Sequence, residues 1–307
     1  MAHPQTLTPW LRLVRLPNLL TVPGDPVAGF LLASAVADRP FAALPLVAAA
    51  GASLCLYAFG LILNDLVDIE TDRVERPDRP LPAGEITVPQ ARMAAIAMAL
   101  SGLNLALVAG PAALYVAATL TGLIFLYNAA LKRVPVAGVV TMGLCRGASL
   151  LLGAAAANMP ATCPEAAPAL AAAIGLAAYV AGFSALAKRE MDADKPQGIV
   201  RWLPFAALLF CLPAVLIITA SLCKPEPIIL PVAVFLMVMT LMRSWLLGGI
   251  MYQVQPVPAT IGGHIRNLLM AQAFFCAAAG MHGILPALTF ILLSFVFLRL
   301  SARFYSS

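Results

Sequence analysis

Four oxygen-bearing side chains fall in register near residue 64: Asn64, Asp65, Asp68 and Asp72, within the stretch GLILNDLVDIETDRVERPDRPLPAG that runs from 60 to 84. The aspartates stand three and four residues apart, so on a helix they lie within about 60° of one another and form one stripe. Asn64 sits beside that stripe, and Glu75 extends it if the helix continues. Three carboxylates on one face repel one another unless a cation sits among them. Oxygen-only ligands select a hard cation, and Mg²⁺, which keeps some of its waters and bridges to phosphate, suits such a stripe. Pro77, Pro80 and Pro82 predict the end of the helix, because proline cannot continue it. The plainer reading is a solvated acidic helix end balanced by nearby arginines. The asparagine, the third aspartate in register and the RPDRPLPAG tail weigh against it.

A second charged cluster, KREMDADK, spans 188 to 195. On a continuous helix Glu190 and Asp194 share a face, while Asp192 points nearly opposite with Lys188. The two clusters lie roughly one hundred and twenty residues apart and follow the second and sixth apolar runs, so both emerge on one side of a bilayer. That spacing predicts a single domain over 1–307 made of two similar halves, about 10–133 and 134–307, facing a shared central cavity.

The elements that must position these groups are membrane helices. Of 307 residues, 62% are hydrophobic and 11% charged, less than half the charge of a usual soluble domain. Apolar runs near the length of a membrane-crossing helix lie around 18–37, 43–66, 89–109, 111–131, 134–157, 166–187, 202–222 and 227–250. Two further runs at 266–280 and 284–301 leave nine or ten spans open. The expected fold is all-α, a polytopic transmembrane bundle.

Net charge is +5, and its placement says more than its size. Arg12, Arg15, Arg73, Arg76, Arg79, Arg92, Lys132, Arg133, Lys188, Arg189, Lys195 and Arg201 fall at the N-terminus and after the even spans, whereas the alternate loops hold only Arg39 and Lys224. That asymmetry places the N-terminus and the charged loops in the cytoplasm. The arginines are interleaved with acids, which argues against nucleic acid as a partner. Six scattered cysteines form no CxxC pair and read as small buried hydrophobes.

Asn64, Asp65, Asp68 and Asp72 meet the pattern NDxxDxxxD in full, RPDRPLPAG is similar to an RPLPSG loop, and LYNAALKRVP supplies Tyr127 followed by Lys132. In these features the chain resembles the UbiA superfamily of intramembrane prenyltransferases over roughly residues 10 to 200. The resemblance implies Mg²⁺-dependent ionisation of a prenyl diphosphate donor and transfer of its prenyl group to an aromatic or other hydrophobic acceptor, within the lipid bilayer. It implies catalytic roles for Asp65, Asp68, Tyr127 and Lys132, and metal ligation by Asn64, Asp65, Asp68, Asp72, Glu190 and Asp194. Diphosphate contacts are expected from Arg79, Lys132, Arg146, Lys188 and Arg189, and acceptor contacts from Arg15, Asn18 and Asp25. The second cluster departs from the family, where aspartates recur at spacings of four and one often stands where Lys188 does. Together with MGLCRGASLLLG, this looks like a divergent bacterial branch.

Charges inside the spans are costly and should face the bundle interior. Arg146, a dozen residues into the fifth run, reads as a functional contact or a structural ion pair. Asp25 lies in VPGDPVAG, where Pro23, Gly24 and Pro26 predict a break in the first span, and it reads equally as a helix-break cap. His264 and His282 are expected in late loops, and LLMAQAFF as lipid-facing or core side chains. Two other classes remain: a non-catalytic carrier on the same fold, and a CDP-alcohol phosphotransferase, whose DGxxAR and GxxxD pattern is absent.

Overall fold

The computed structural model describes residues 7–37, 42–158, 164–188, 198–223 and 226–304. Among them the chain is helical with no strand. Two short helices, α1 (Leu7–Leu13) and α2 (Leu16–Leu19), lead into α3 (Gly24–Ala37). Then follow α4 (Ala43–Val67), α5 (Ile69–Glu75), α6 (Val88–Ala109), α7 (Pro111–Ala129), α8 (Pro135–Ala156) and α9 (Ala167–Ala187). The remainder is α10 (Leu203–Leu222), α11 (Ile229–Leu246), α12 (Tyr252–Val254), α13 (Val257–Ala278) and α14 (Ile284–Phe304), with a π-helical turn at Leu247–Met251 joining α11 to α12.

Nine segments among the described residues are long and apolar enough to cross a membrane. Large side chains such as Tyr115, Phe125, Phe210, Phe235 and Leu292 project outward from them, a surface that only lipid covers at low cost. The chain is an integral membrane protein. The break expected in the first span is present: α2 ends at Leu19 and α3 begins at Gly24.

α13 is a tenth helix of spanning length that falls outside the nine because its interior is polar. His264, Asn267 and Gln272 are fully buried within it. The apolar run visible in sequence begins at 266, nine residues after the helix itself, because VPATIGGHI gives hydropathy little to register. Ala187 of α9, Met251 of the π turn, Pro258 of α13 and Phe297 of α14 surround one cavity together with Arg15 and Arg79. Ala35, Thr219, Ile229, Ala278 and His282 gather around another. The C-terminus of α11 therefore shares an end of the bundle with the N-terminus of α13, and α14 returns to that end. We refer to it as the charged end.

Close packing fixes the centre. A Cβ at Gly29 would overlap the Leu150 carbonyl, and one at Gly153 would overlap the Pro26 carbonyl. Only glycine lets the α3 and α8 backbones approach this far, the usual means of helix association in lipid, where no hydrophobic force drives it. Ser53 of α4 and Ser149 of α8 add a hydroxyl pair at 2.6 Å.

Candidate functional site at the charged end

The helix carrying the aspartates is not continuous. It breaks at Asp68 (φ −92°, ψ 4°) and resumes as α5, although the amide of Asp68 still bonds Asn64 O at 3.0 Å and that of Asp72 bonds Asp68 O at 2.8 Å. The expected stripe is thus bent at its middle member. Pro77, Pro80 and Pro82 then turn the chain, and buried Leu81 and Ile86 anchor the loop to the core. Arg12 holds it from above through Glu85 (3.0 Å) and the Asp78 carbonyl (2.5 Å). The next helix opens with a capping box between Thr87 and Gln90.

Each acid of the first cluster has a cation. Arg79 Nη1 donates to Asp72 Oδ2 at 2.6 Å and lies 3.5 Å from Asp65 Oδ1. Arg15 approaches the same Asp65 oxygen at 3.6 Å. Lys132 Nζ donates to Asp68 Oδ1 at 2.5 Å. Asp65 and Asp72 are buried, Asp68 half-buried. Among the described residues no three His, Cys, Asp or Glu side chains stand close enough to hold an ion by themselves.

Below this mouth runs a cavity of about 470 Å³. Asn64, Asp68, Asp72, Arg15, Arg79 and Tyr127 line one part of it, and Leu56, Leu61, Leu120, Ile124 and Met142 the apolar body. The buried Oδ1 of Asn128, also on the wall, has no hydrogen-bond partner. The arrangement suits a molecule with a densely charged head and a hydrocarbon tail.

Arg146 and Asp25 form a separate cluster. Arg146 Nε lies 2.9 Å from Asp25 Oδ2, and its Nη2 donates to Asp25 Oδ1 (3.2 Å) and to the Thr21 carbonyl (2.9 Å). Gln272 Nε2 donates to Asp25 Oδ1 and to Thr21 O, both at 2.6 Å. The guanidinium lies 6.0 Å from the Tyr57 ring, eleven residues before Asp68 and so about 16 Å down the helix by its rise. Arg146 lines the deep part of the same cavity whose mouth carries Asp68, Asp72 and Arg79, while Asp25 is fully buried against Arg146 and Gln272.

Lys188 is engaged with backbone. Its ammonium donates to the carbonyls of Lys132 (3.0 Å), Val134 (3.3 Å) and Pro135 (3.3 Å), fixing the 3₁₀ turn Leu131–Arg133 rather than facing the cavity. Arg189, Glu190 and Asp194 lie outside the described residues. Arg15 and Asn18 line a second cavity beside the first. His264 is no loop residue. It sits inside α13, stacked on Phe183 and 3.1 Å from the Tyr179 hydroxyl.

Sequence reasoning missed Ser53, Ser149 and Gln272. The only available signal was a polar side chain inside an apolar run, which for LLMAQAFF was read as core or lipid contact.

Among the described residues, nine apolar spans and the polar-lined α13 surround cavities with charged mouths, which defines an all-helical membrane protein. The model of the UbiA prenyltransferase family matches residues 26–254, well over half of the chain, and the chain belongs to that family. It is 30% identical over 154 residues to a digeranylgeranylglyceryl phosphate synthase of Methanoculleus marisnigri, covering 50% of this chain and 53% of that one. The chain thus spans about half the length of the curated relatives it matches. Among solved structures, the apo UbiA homologue of Aeropyrum pernix superposes with a TM-score of 0.63 at 18% identity, covering 84% of this chain and 96% of that one. The Archaeoglobus fulgidus homologue bound to GPP and Mg²⁺ gives 0.58 at 19% identity, covering 89% and 99%. Both likenesses concern the fold.

Proposed function

We propose that the protein is an intramembrane prenyltransferase that ionises a prenyl diphosphate at the mouth of the first cavity and transfers the prenyl group to a small hydrophobic or aromatic acceptor. The observation that carries this is one cavity with carboxylates, an asparagine and arginines at its mouth and aliphatic side chains along its body. Such a shape matches a donor that is a diphosphate at one end and hydrocarbon at the other.

The donor set fits Mg²⁺. Asn64, Asp68 and Asp72 offer oxygen alone, and a magnesium ion is commonly held by one or two carboxylates, waters and substrate phosphates rather than by a complete protein cage. Glu190 and Asp194 supply further oxygen ligands in this reading. When bound, Mg²⁺ takes up negative charge on the departing diphosphate.

The allylic C–O bond breaks with its electron pair leaving on the diphosphate. Arg79, Arg15 and Lys132 neutralise that growing charge where water is scarce and each cation counts for more. Arg79 can fork onto two phosphate oxygens, whereas Lys132 acts as a point charge. For both, the diphosphate replaces carboxylate partners already held at 2.5–2.6 Å, so the cations are in position before the donor arrives. Tyr127 at the same mouth turns a ring face to the carbocation.

In this reading the charged end faces the cytoplasm of a bacterial inner membrane, following the Lys and Arg asymmetry. The test is diphosphate release from a panel of prenyl diphosphates in isolated membranes. Asp68→Ala and chelation by EDTA should each abolish release. Full release by the variant sinks the assignment, and donor binding without release by the wild type indicates a carrier.

A further inference from the structure

One face of α4 measures the first cavity from mouth to floor. Asp68, Asn64, Gly60, Tyr57 and Ser53 all line it and recur at spacings of three and four, so they lie on one stripe. From Asp68 down to Ser53 the stripe covers about 22 Å of helical rise.

Polar groups shut the lower end. Ser53 Oγ and Ser149 Oγ are 2.6 Å apart and join α4 to α8 across the cavity. Both serines are buried, as is Val22 from the break before α3, which lines the same space. Arg146, three residues before Ser149 on α8, is held by Asp25. Beneath them, the α3 and α8 backbones are in contact at Gly29 with Leu150 and at Pro26 with Gly153. The floor therefore has no room to give. A hydrocarbon end pushed past it would part the two hydroxyls and leave buried polar groups without partners, which is unfavourable.

The depth sets a length. A diphosphate with a magnesium ion on its oxygens takes up about 6 Å at the mouth, which leaves about 16 Å of the stripe below it. An isoprene unit lengthens an extended chain by about 5 Å at ordinary carbon–carbon distances. Three units reach the floor, and a fourth has nowhere to go.

We infer that the donor is a short prenyl diphosphate, of ten or fifteen carbons, and that the Ser53 and Ser149 pair is the stop that excludes a chain of twenty. The inference rests on the transferase reading above and names the donor within it. Arg146 keeps its place at the base by its bond to Asp25 and takes no part in holding the diphosphate.

The experiment is equilibrium binding of radiolabelled geranyl, farnesyl and geranylgeranyl S-thiolodiphosphates, which resist ionisation, to the full-length protein in nanodiscs with Mg²⁺. Partition into empty nanodiscs is subtracted. Affinity should rise from geranyl to farnesyl and then fall by about tenfold or more at geranylgeranyl. Ser53→Leu fills the base and should lower the ratio of farnesyl to geranyl affinity by about tenfold. Ser53→Gly combined with Ser149→Ala opens the base and should raise the ratio of geranylgeranyl to farnesyl affinity. If the Leu variant does not fold, Ser53→Val carries the comparison with a smaller drop in the same ratio. Geranylgeranyl binding as tightly as farnesyl in the wild type overturns the inference and leaves the transferase reading intact. So do variants at Ser53 that change all three affinities by the same factor. Failure of every length to bind is a different result, which removes the transferase reading together with the inference.

Discussion

Lys132 with Asp68, and Arg146 with Asp25, are both close ion pairs on the α4–α8 side of the bundle, but they are finished differently. Asp25 is fully buried and receives Arg146 and Gln272 together, and the Thr21 carbonyl accepts from the same Arg146 Nη2 and Gln272 Nε2. Asp68 is 30% exposed at its side chain and has Lys132 as its ion-pair partner. The Asp25 cluster is closed to solvent and ties α3, α8 and α13 together. The Asp68 cluster is open to solvent and can exchange partners. What separates the two is access, since Asp25 is sealed from solvent while Asp68 faces the cavity mouth.

The sharpest way to break this comparison is at the open cluster. Asp72→Asn removes a charge and loosens Arg79, and transfer should fall by about a hundredfold or more, while melting in detergent barely moves. A variant that keeps its activity but melts early would make the mouth structural. At the closed cluster the expectation reverses. Asp25→Ala leaves Arg146 buried without its counter-charge and should cost about 3–5 kcal/mol of stability, read by unfolding in mixed detergent micelles. The double change Asp25→Leu with Arg146→Met should recover most of that loss, because an apolar pair of similar volume replaces the desolvated ions. If the double variant is no better than the single, the pair does more than hold helices. The smallest effect belongs to Glu70, whose contact with Arg73 is exposed on both sides. Glu70→Ala should shift stability by less than about 0.5 kcal/mol, and a larger change would show that α5 depends on its outer face.

Much of the open cluster was legible in sequence because its members are neighbours along the chain. Asn64, Asp65, Asp68 and Asp72 fall within nine residues, and Arg79 follows them on the proline loop. The bend at Asp68 was not legible, since the i to i+4 pattern persists across it and only the dihedral angles differ. The closed cluster was half legible. Arg146 was visible as a charge in an apolar run, but its partner lies 121 residues away, and nothing local distinguishes an arginine that meets an acid from one that meets a substrate. Gln272 is 247 residues from the carboxylate it satisfies. α13 was cut short for a related reason. The polar side chains that make it an interior helix also remove the hydropathy by which a span is recognised.

That tenth helix fixes a parity. With α13 and α14 both traversing the bundle, the described chain starts and finishes at the same end, so reporters fused before α1 and after α14 would sit in one compartment. Ending the chain after Ala278 would carry a trailing reporter to the other, and a phosphatase or fluorescent fusion reads that inversion directly.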